Sequence, residues 1–123
     1  AEYGPIFDAL HKKYVEESNK GNASLAEEMF DEHAVVVEKA SNKHYFGLKQ
    51  IDEMVKGFIA MGKIDFKTPR RAFYEVGNDR FFVDLDFETT LLEAGKVLKG
   101  SAQYLFEKHG EQWKCVYESY EMH

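Results

Sequence analysis

Residues 77–95 read GNDRFFVDLDFETTLLEAG, and the placement of their apolar side chains decides the fold. Phe81, Val83, Leu85 and Phe87 recur at every second position, with Asp84, Asp86 and Glu88 between or after them. That is the period of a strand with one face in a core and the other in water. Gly77-Asn78-Asp79 precedes this stretch and Ala94-Gly95 closes it, and both are turn-forming clusters. Strand-like stretches also lie near 64–76, 97–108 and 112–122, the last two separated by His109-Gly110. Strands in succession with joins this short predict an antiparallel meander over 64–76, 80–92, 97–108 and 112–122.

Two-residue loops at Asn78-Asp79, Ala94-Gly95 and His109-Gly110 would fix which residues oppose one another, and so which share a face. One face then collects Phe66, Ala72, Tyr74, Val76, Phe81, Val83, Leu85, Phe87, Leu91, Leu98, Ala102, Tyr104, Phe106, Trp113, Cys115 and Tyr117. Small side chains at Thr89, Gly100, Ala102 and Ser119 fall among these aromatics, so either a hollow opens under the helices or helix side chains fill it. The expected pocket lining is Arg70, Phe87, Gly100, Ala102, Tyr104, Trp113, Tyr117 and Ser119. On the opposite face Arg71 is expected across from Asp86, near Asp84, Glu88 and Lys99. That face also carries Phe73, Phe82, Val97, Leu105, Val116, Tyr120 and Met122, more apolar bulk than solvent calls for, and it is the expected contact of a homodimer.

Before the meander the period is helical. Pro5 suits a first turn, and Ile6, Leu10 and Tyr14 form one stripe that Gly21 ends. Asn22 or Ser24 can cap a second helix with the pairs Leu25/Met29 and Ala26/Phe30. The β-branched run 35–37 predicts a short strand, a polar loop leads to Gly47, and Leu48, Ile51, Val55 and Phe58 predict a third helix ending at Gly62. The expected class is α+β, one domain over 1–123, with three N-terminal helices packed on a curved, mostly antiparallel sheet.

The chain has 123 residues, 44% hydrophobic and 15% aromatic, with a formal net charge of −6, enough to bury the core of one domain. A net negative field gives no footprint for nucleic acid, although Lys63, Lys67, Arg70 and Arg71 form a local basic cluster that could hold one anion. The single cysteine, Cys115, excludes an intrachain disulfide and a cysteine-based zinc site. Between Trp113 and Tyr117 it reads as core, where burial keeps a thiol inert. His11, His33, His44, His109 and His123 show no metal-ligand spacing, and no nucleophile elbow, phosphate loop or dinucleotide fingerprint is present. No metal, cofactor or membrane partner is expected, and the expected compartment is the cytoplasm, with a cleaved precursor left open.

The order of elements resembles the NTF2-like superfamily of cone-shaped α+β domains. The segments YVEESNKGNASLAEEMFDEHAVVVE (14–38), FGLKQI (46–51) and HGEQWKCVYESY (109–120) resemble its SnoaL-like branch and the ketosteroid isomerases. The resemblance spans the chain and implies the cone fold, while the fold itself hosts enzymes, binding proteins and assembly domains. It also implies roles for two residues. Tyr14 matches a position that donates an oxyanion hydrogen bond, and Glu38, 24 residues on, matches a position that holds an aspartate base. The pattern breaks at the third group, because Ala102 stands where the second oxyanion donor would be.

Glu38 therefore has two readings: a strand end in water, paired with Lys39, Lys43 or Arg70, or a desolvated base facing Tyr14 across a pocket. Arg70 either emerges at the cone mouth or pairs with a carboxylate such as Glu38 or a ligand anion. The functional expectation is binding of a small apolar or carbonyl-bearing molecule, with isomerase- or lyase-like proton transfer by Glu38 and Tyr14 as its catalytic form. The alternative is a dimerisation or interaction module with a vestigial pocket.

Overall fold

The computed structural model describes residues 2–123. Two helices, α1 (Gly4–Asn19) and α2 (Leu25–Met29), lead into strand β1 (Phe30–Glu38) and strand β2 (Lys43–Phe46). Helix α3 (Gly47–Ile59) follows, and then the meander β3 (Ile64–Glu75), β4 (Arg80–Leu91), β5 (Lys96–His109) and β6 (Gln112–Met122). The six strands form one mixed sheet in the order β2-β1-β6-β5-β4-β3, with β1 and β6 as its parallel pair. The α+β class and the meander hold. The three helices are not consecutive, since α3 is inserted after the first hairpin.

The first hairpin is longer than the sequence pattern suggested. The β-branched run 35–37 is the middle of a nine-residue strand, and what read as a polar loop contains β2, paired through Val35 with Phe46 and Glu38 with Lys43. Asn42 turns the chain with a positive φ of 55°, a conformation that asparagine tolerates better than most residues. Pairing with β2 and β6 satisfies the backbone of β1 on both sides, so its inner residues Ala34 and Val36 can be fully buried. Helix α1 is pinned to the meander by Asn19, whose side chain exchanges hydrogen bonds of 3.0 and 2.9 Å with the Ile64 backbone.

The loops set the register, and two of them differ from the two-residue expectation. The β3–β4 join is Gly77-Asn78-Asp79, because Val76 N–H bonds to the Arg80 carbonyl and Glu75 opposes Phe81. One extra loop residue moves every β3 side chain next to the turn to the other face. Phe73 consequently points inward beside Phe7 and Phe81, whereas Tyr74 is 56% exposed on the outside. A bulge between Lys67 and Arg70, at Thr68-Pro69, reverses the shift and returns Phe66 to the inner face opposite Thr89. The β4–β5 loop is also longer, with Leu91 opposite Lys96, but the change is by two and the faces survive.

In β6 a second bulge, opposite Leu105/Phe106, has a larger consequence. Trp113 and Cys115 are inward as expected, the first against Phe81 and the second fully buried with its S–H donating to the Tyr117 carbonyl at 3.2 Å. Past the bulge the faces exchange: Glu118, Tyr120 and Met122 oppose the inner residues Tyr104, Ala102 and Gly100. Tyr117 and Ser119 therefore turn outward, correcting their expected place in the pocket. The outer apolar set correspondingly loses Phe73, Tyr120 and Met122, which weakens the case for a subunit contact there.

Candidate functional site

Helices and sheet do not close on each other completely. A cavity of about 150 Å³ remains between α1, α3 and the inner faces of β3 to β6. Leu10, His11 and Tyr14 reach it from α1, Met54 and Phe58 from α3, Phe66 from β3, and Phe87 and Thr89 from β4. Tyr104 and Phe106 reach it from β5, and Cys115, Glu118, Tyr120 and Met122 from β6. Gly100 shapes the wall without touching the space: a Cβ there would stand 2.6 Å from the Phe87 ring and 2.2 Å from the Glu121 carbonyl. Its missing side chain lets Phe87 lie flat over β5.

Glu118 is the one carboxylic acid in this lining. Among the described residues it has no salt bridge or hydrogen bond, yet no sealed side-chain oxygen lacks a partner. Its oxygens consequently open on the cavity. Glu118 is half-buried at the cavity wall, and desolvation by the surrounding side chains pushes its carboxyl up to about 8. Glu118 is thus mostly protonated at neutral pH, the state in which a carboxyl can donate a hydrogen bond.

The neighbouring groups are held neutral as well. Burial raises the Tyr14, Tyr104 and Cys115 ionisations far above their ordinary values, and a Glu118 anion would raise them further. Tyr120, which lines both this cavity and an adjoining groove, is raised by burial first and then by the charges of Glu38 and Glu118. On α1, burial lowers the His11 ionisation against a hydrogen bond to the Phe66 backbone, and the ring packs edge-on against Phe66 at 4.5 Å. The resting cavity is therefore mostly uncharged between about pH 6.5 and the Glu118 ionisation near 8.

Of the expected site residues, the structure brings together Tyr14, Phe87 and Tyr104 around this cavity. Ala102 is fully buried beneath it and Trp113 lies at the end of the core by Phe81, neither lining the space. Tyr117 and Ser119 are on the far face, where the Ser119 hydroxyl donates to Gln103 at 2.8 Å. Arg70 is corrected too. The three-residue turn carries it to the outer face, where it holds Asp86 at 2.9 Å and Asp84 at 3.3 Å. Arg71 takes the inner edge instead, paired with Asp8 of α1 and lying over the Phe7 and Phe73 rings at 5.7 and 5.6 Å. The expected basic cluster is thereby divided between two faces, with both arginines already paired.

Glu38 does not line the cavity that Tyr14 lines. It lines an adjoining open groove with Tyr45 and Glu53, and that groove shares Met54, Phe58, Met61, Tyr120 and Met122 with the cavity. Sequence reasoning missed Glu118 because strict alternation from Trp113 puts it outside. The described residues include no group of three or more His, Cys, Asp or Glu side chains placed to hold a metal ion. They also include no helix long and apolar enough to cross a membrane.

No family model and no curated protein matches the sequence. Solved structures do match, at low identity. A candidate calcium/calmodulin dependent protein kinase II association domain from Xanthomonas campestris superposes with a TM-score of 0.80 at 16% identity, covering 100% of this chain and 89% of that one. A nuclear transport factor 2 (NTF2-like) superfamily protein from Salmonella enterica gives 0.72 at 16%, covering 94% and 87%. A candidate ketosteroid isomerase from Parabacteroides distasonis gives 0.74 at 17%, covering 96% and 86%. The chain has the NTF2-like fold, and these neighbours span both catalysts and assembly domains.

Proposed function

We propose that this protein is a small-molecule-binding domain that encloses a largely apolar ligand between helices and sheet, with the ligand's one polar group meeting Glu118. The observation that carries this reading is the unpartnered Glu118 carboxyl opening into an aromatic-lined cavity. Folding around an acid with no protein partner is unfavourable, and natural sites accept such a cost where the group is used. A volume near 150 Å³ matches apolar cavities that take up benzene-sized molecules. Proton transfer with Glu38 as base is less well supported, because Glu38 and Tyr14 line different spaces. If a proton moves in this site, Glu118 is the better carrier and Tyr14 the neighbouring hydroxyl.

The chain supplies its own reporters: all four methionines, Met29, Met54, Met61 and Met122, line the cavity. Benzene or indole added to methyl-labelled protein should shift all four methionine methyl signals in NMR spectra, and a cavity-filling Thr89→Trp variant should show no such shifts. Methyl signals unmoved at saturating probe would sink the binding reading. A second reading, assembly through the outer sheet face, is favoured by the association-domain neighbour and by exposed Tyr74 and Val97. Its test is mass by light scattering, where a monomer at micromolar concentration counts against it.

A further inference from the structure

The binding reading leaves open what the polar group of the ligand is, and the charges around the cavity narrow it. The lining contains no lysine or arginine, and its histidine, His11, is held neutral by burial. An anionic ligand would have nothing to pair with. Nine aromatic side chains line the space, with Tyr14, Tyr104 and Tyr120 nearest Glu118. Aromatic faces are electron-rich and attract cations, most strongly where water is excluded.

The approach to the cavity has the same sign. The adjoining groove carries Glu38 and Glu53 and no cationic residue, and neither acid is in an ion pair among the described residues. The chain as a whole has a formal net charge of −6, so its field draws cations inward and slows anions. A neutral acceptor such as a ketone could take a hydrogen bond from protonated Glu118. A buried glutamine or hydroxyl could also donate to a ketone, although less strongly than a carboxylic acid. What an acid offers beyond those is the ability to become a counter-ion.

We propose that the cavity binds an organic cation: an apolar or aromatic body bearing one ammonium group, paired with the Glu118 carboxylate and enclosed by the tyrosine faces, with Glu38 and Glu53 guiding its entry. The proposal rests on the binding reading above and adds the ligand's charge. It also fixes a proton balance. Glu118 is protonated when the cavity is empty at neutral pH, so a cation binds by displacing that proton to solvent. Affinity for a permanent cation should then rise about tenfold per pH unit up to the Glu118 ionisation near 8, and level off above it. The groups facing Glu118 are Tyr14 from α1, Tyr104 from β5, and Cys115 and Tyr120 from β6, all pushed above this range. Glu38 lines the adjoining groove, and His11 titrates below pH 6.5.

The test uses calorimetry between pH 6.5 and 9 with two probes of similar size, benzyltrimethylammonium and phenylacetone. The cation is expected to bind with release of close to one proton at pH 6.5, falling toward none at pH 9, and with the pH slope given above, whereas the ketone weakens above pH 8. Glu118→Gln should lower affinity for the cation at pH 8 by a hundredfold or more and leave the ketone within a few fold. The double variant Glu38→Gln/Glu53→Gln, with Glu118 intact, should slow association of the cation alone, and more so at low salt. Ketone binding without cation binding, or cation binding at pH 6.5 with no proton released, overturns the cation proposal and leaves the binding reading standing. If neither probe binds and the methionine methyl signals are also unmoved by benzene, both readings fall.

Discussion

The two faces of the sheet treat charge in opposite ways. On the outer face Arg70 reaches Asp86 and Asp84, Gln103 donates to Asp84, and both Ser119 and Lys39 donate to Gln103. Donors and acceptors there form one chain across β3, β4, β5, β6 and the end of β1, open to water at Arg70 and Asp86 and buried at Ser119. The cavity on the inner face has a single acid, Glu118, with nothing from the protein to meet it. Exposed pairs contribute little to folding because water serves those groups almost as well. A lone acid in an apolar space opposes folding, and so the inner face is where stability has been exchanged for a binding group.

The largest expected effect follows directly. Glu118 has an ordinary value of 4.5 and stands at about 8 in the fold, so the unfolded chain releases its proton first as pH rises. Stability therefore falls between about pH 4.5 and pH 8 and is flat on either side. At pH 7 the cost to folding is about 3 kcal/mol. Glu118→Gln removes it, and the variant should melt roughly 10 °C higher than wild type at pH 7. That advantage should disappear near pH 4. Equal melting temperatures at pH 7 would mean that Glu118 has a partner after all, and the contrast between the faces would collapse.

Gly100→Ala tests the inner wall at a position with no charge. The added methyl meets the Glu121 backbone and the Phe87 ring well inside contact distance, and overpacking of this kind costs about 1–3 kcal/mol. Phe87 is the movable party, and its displacement should narrow the cavity. Denaturant unfolding should show the loss, and benzene should bind more weakly. A variant as stable as wild type would mean that the wall yields easily and that the cavity is not a fixed shape.

Legibility from sequence follows the same division. The period-two run from Phe81 to Phe87 announces β4 because its inner and outer residues differ sharply, and the helical stripe through Leu10 and Tyr14 is as plain. Faces were lost where one residue changed the count. Pro69 inside a strand is a recognised sign of a bulge, and it could have warned that Arg70 and Arg71 exchange places. In β6 there is no such sign. The stretch from Val116 to Met122 presents aromatic or apolar side chains on either parity, with Tyr117 on one and Tyr120 and Met122 on the other. Pattern alone could not choose, and the site residue Glu118 was hidden by that ambiguity. Tyr14 was legible as a member of the inward stripe because it lies on a regular helix. The sequence left open whether Glu38 faces the pocket or water, and the structure sets it in the adjoining groove.

The smallest expected effect is on the outer face. Arg70→Ala removes a guanidinium that bonds Asp86 with two nitrogens and Asp84 with one, and it leaves two carboxylates side by side. Since all three groups are solvated, their repulsion is screened within about 8 Å at physiological salt. Melting should fall by a degree or two at low salt and by nothing measurable at 1 M salt, with cavity binding unchanged. The same salt series leaves the Glu118→Gln difference largely intact, because at pH 7 Glu118 is mostly protonated in the fold and carries little charge to screen. A large, salt-independent loss for Arg70→Ala would show instead that the outer network is shielded from water, as it would be if that face were covered by a second subunit.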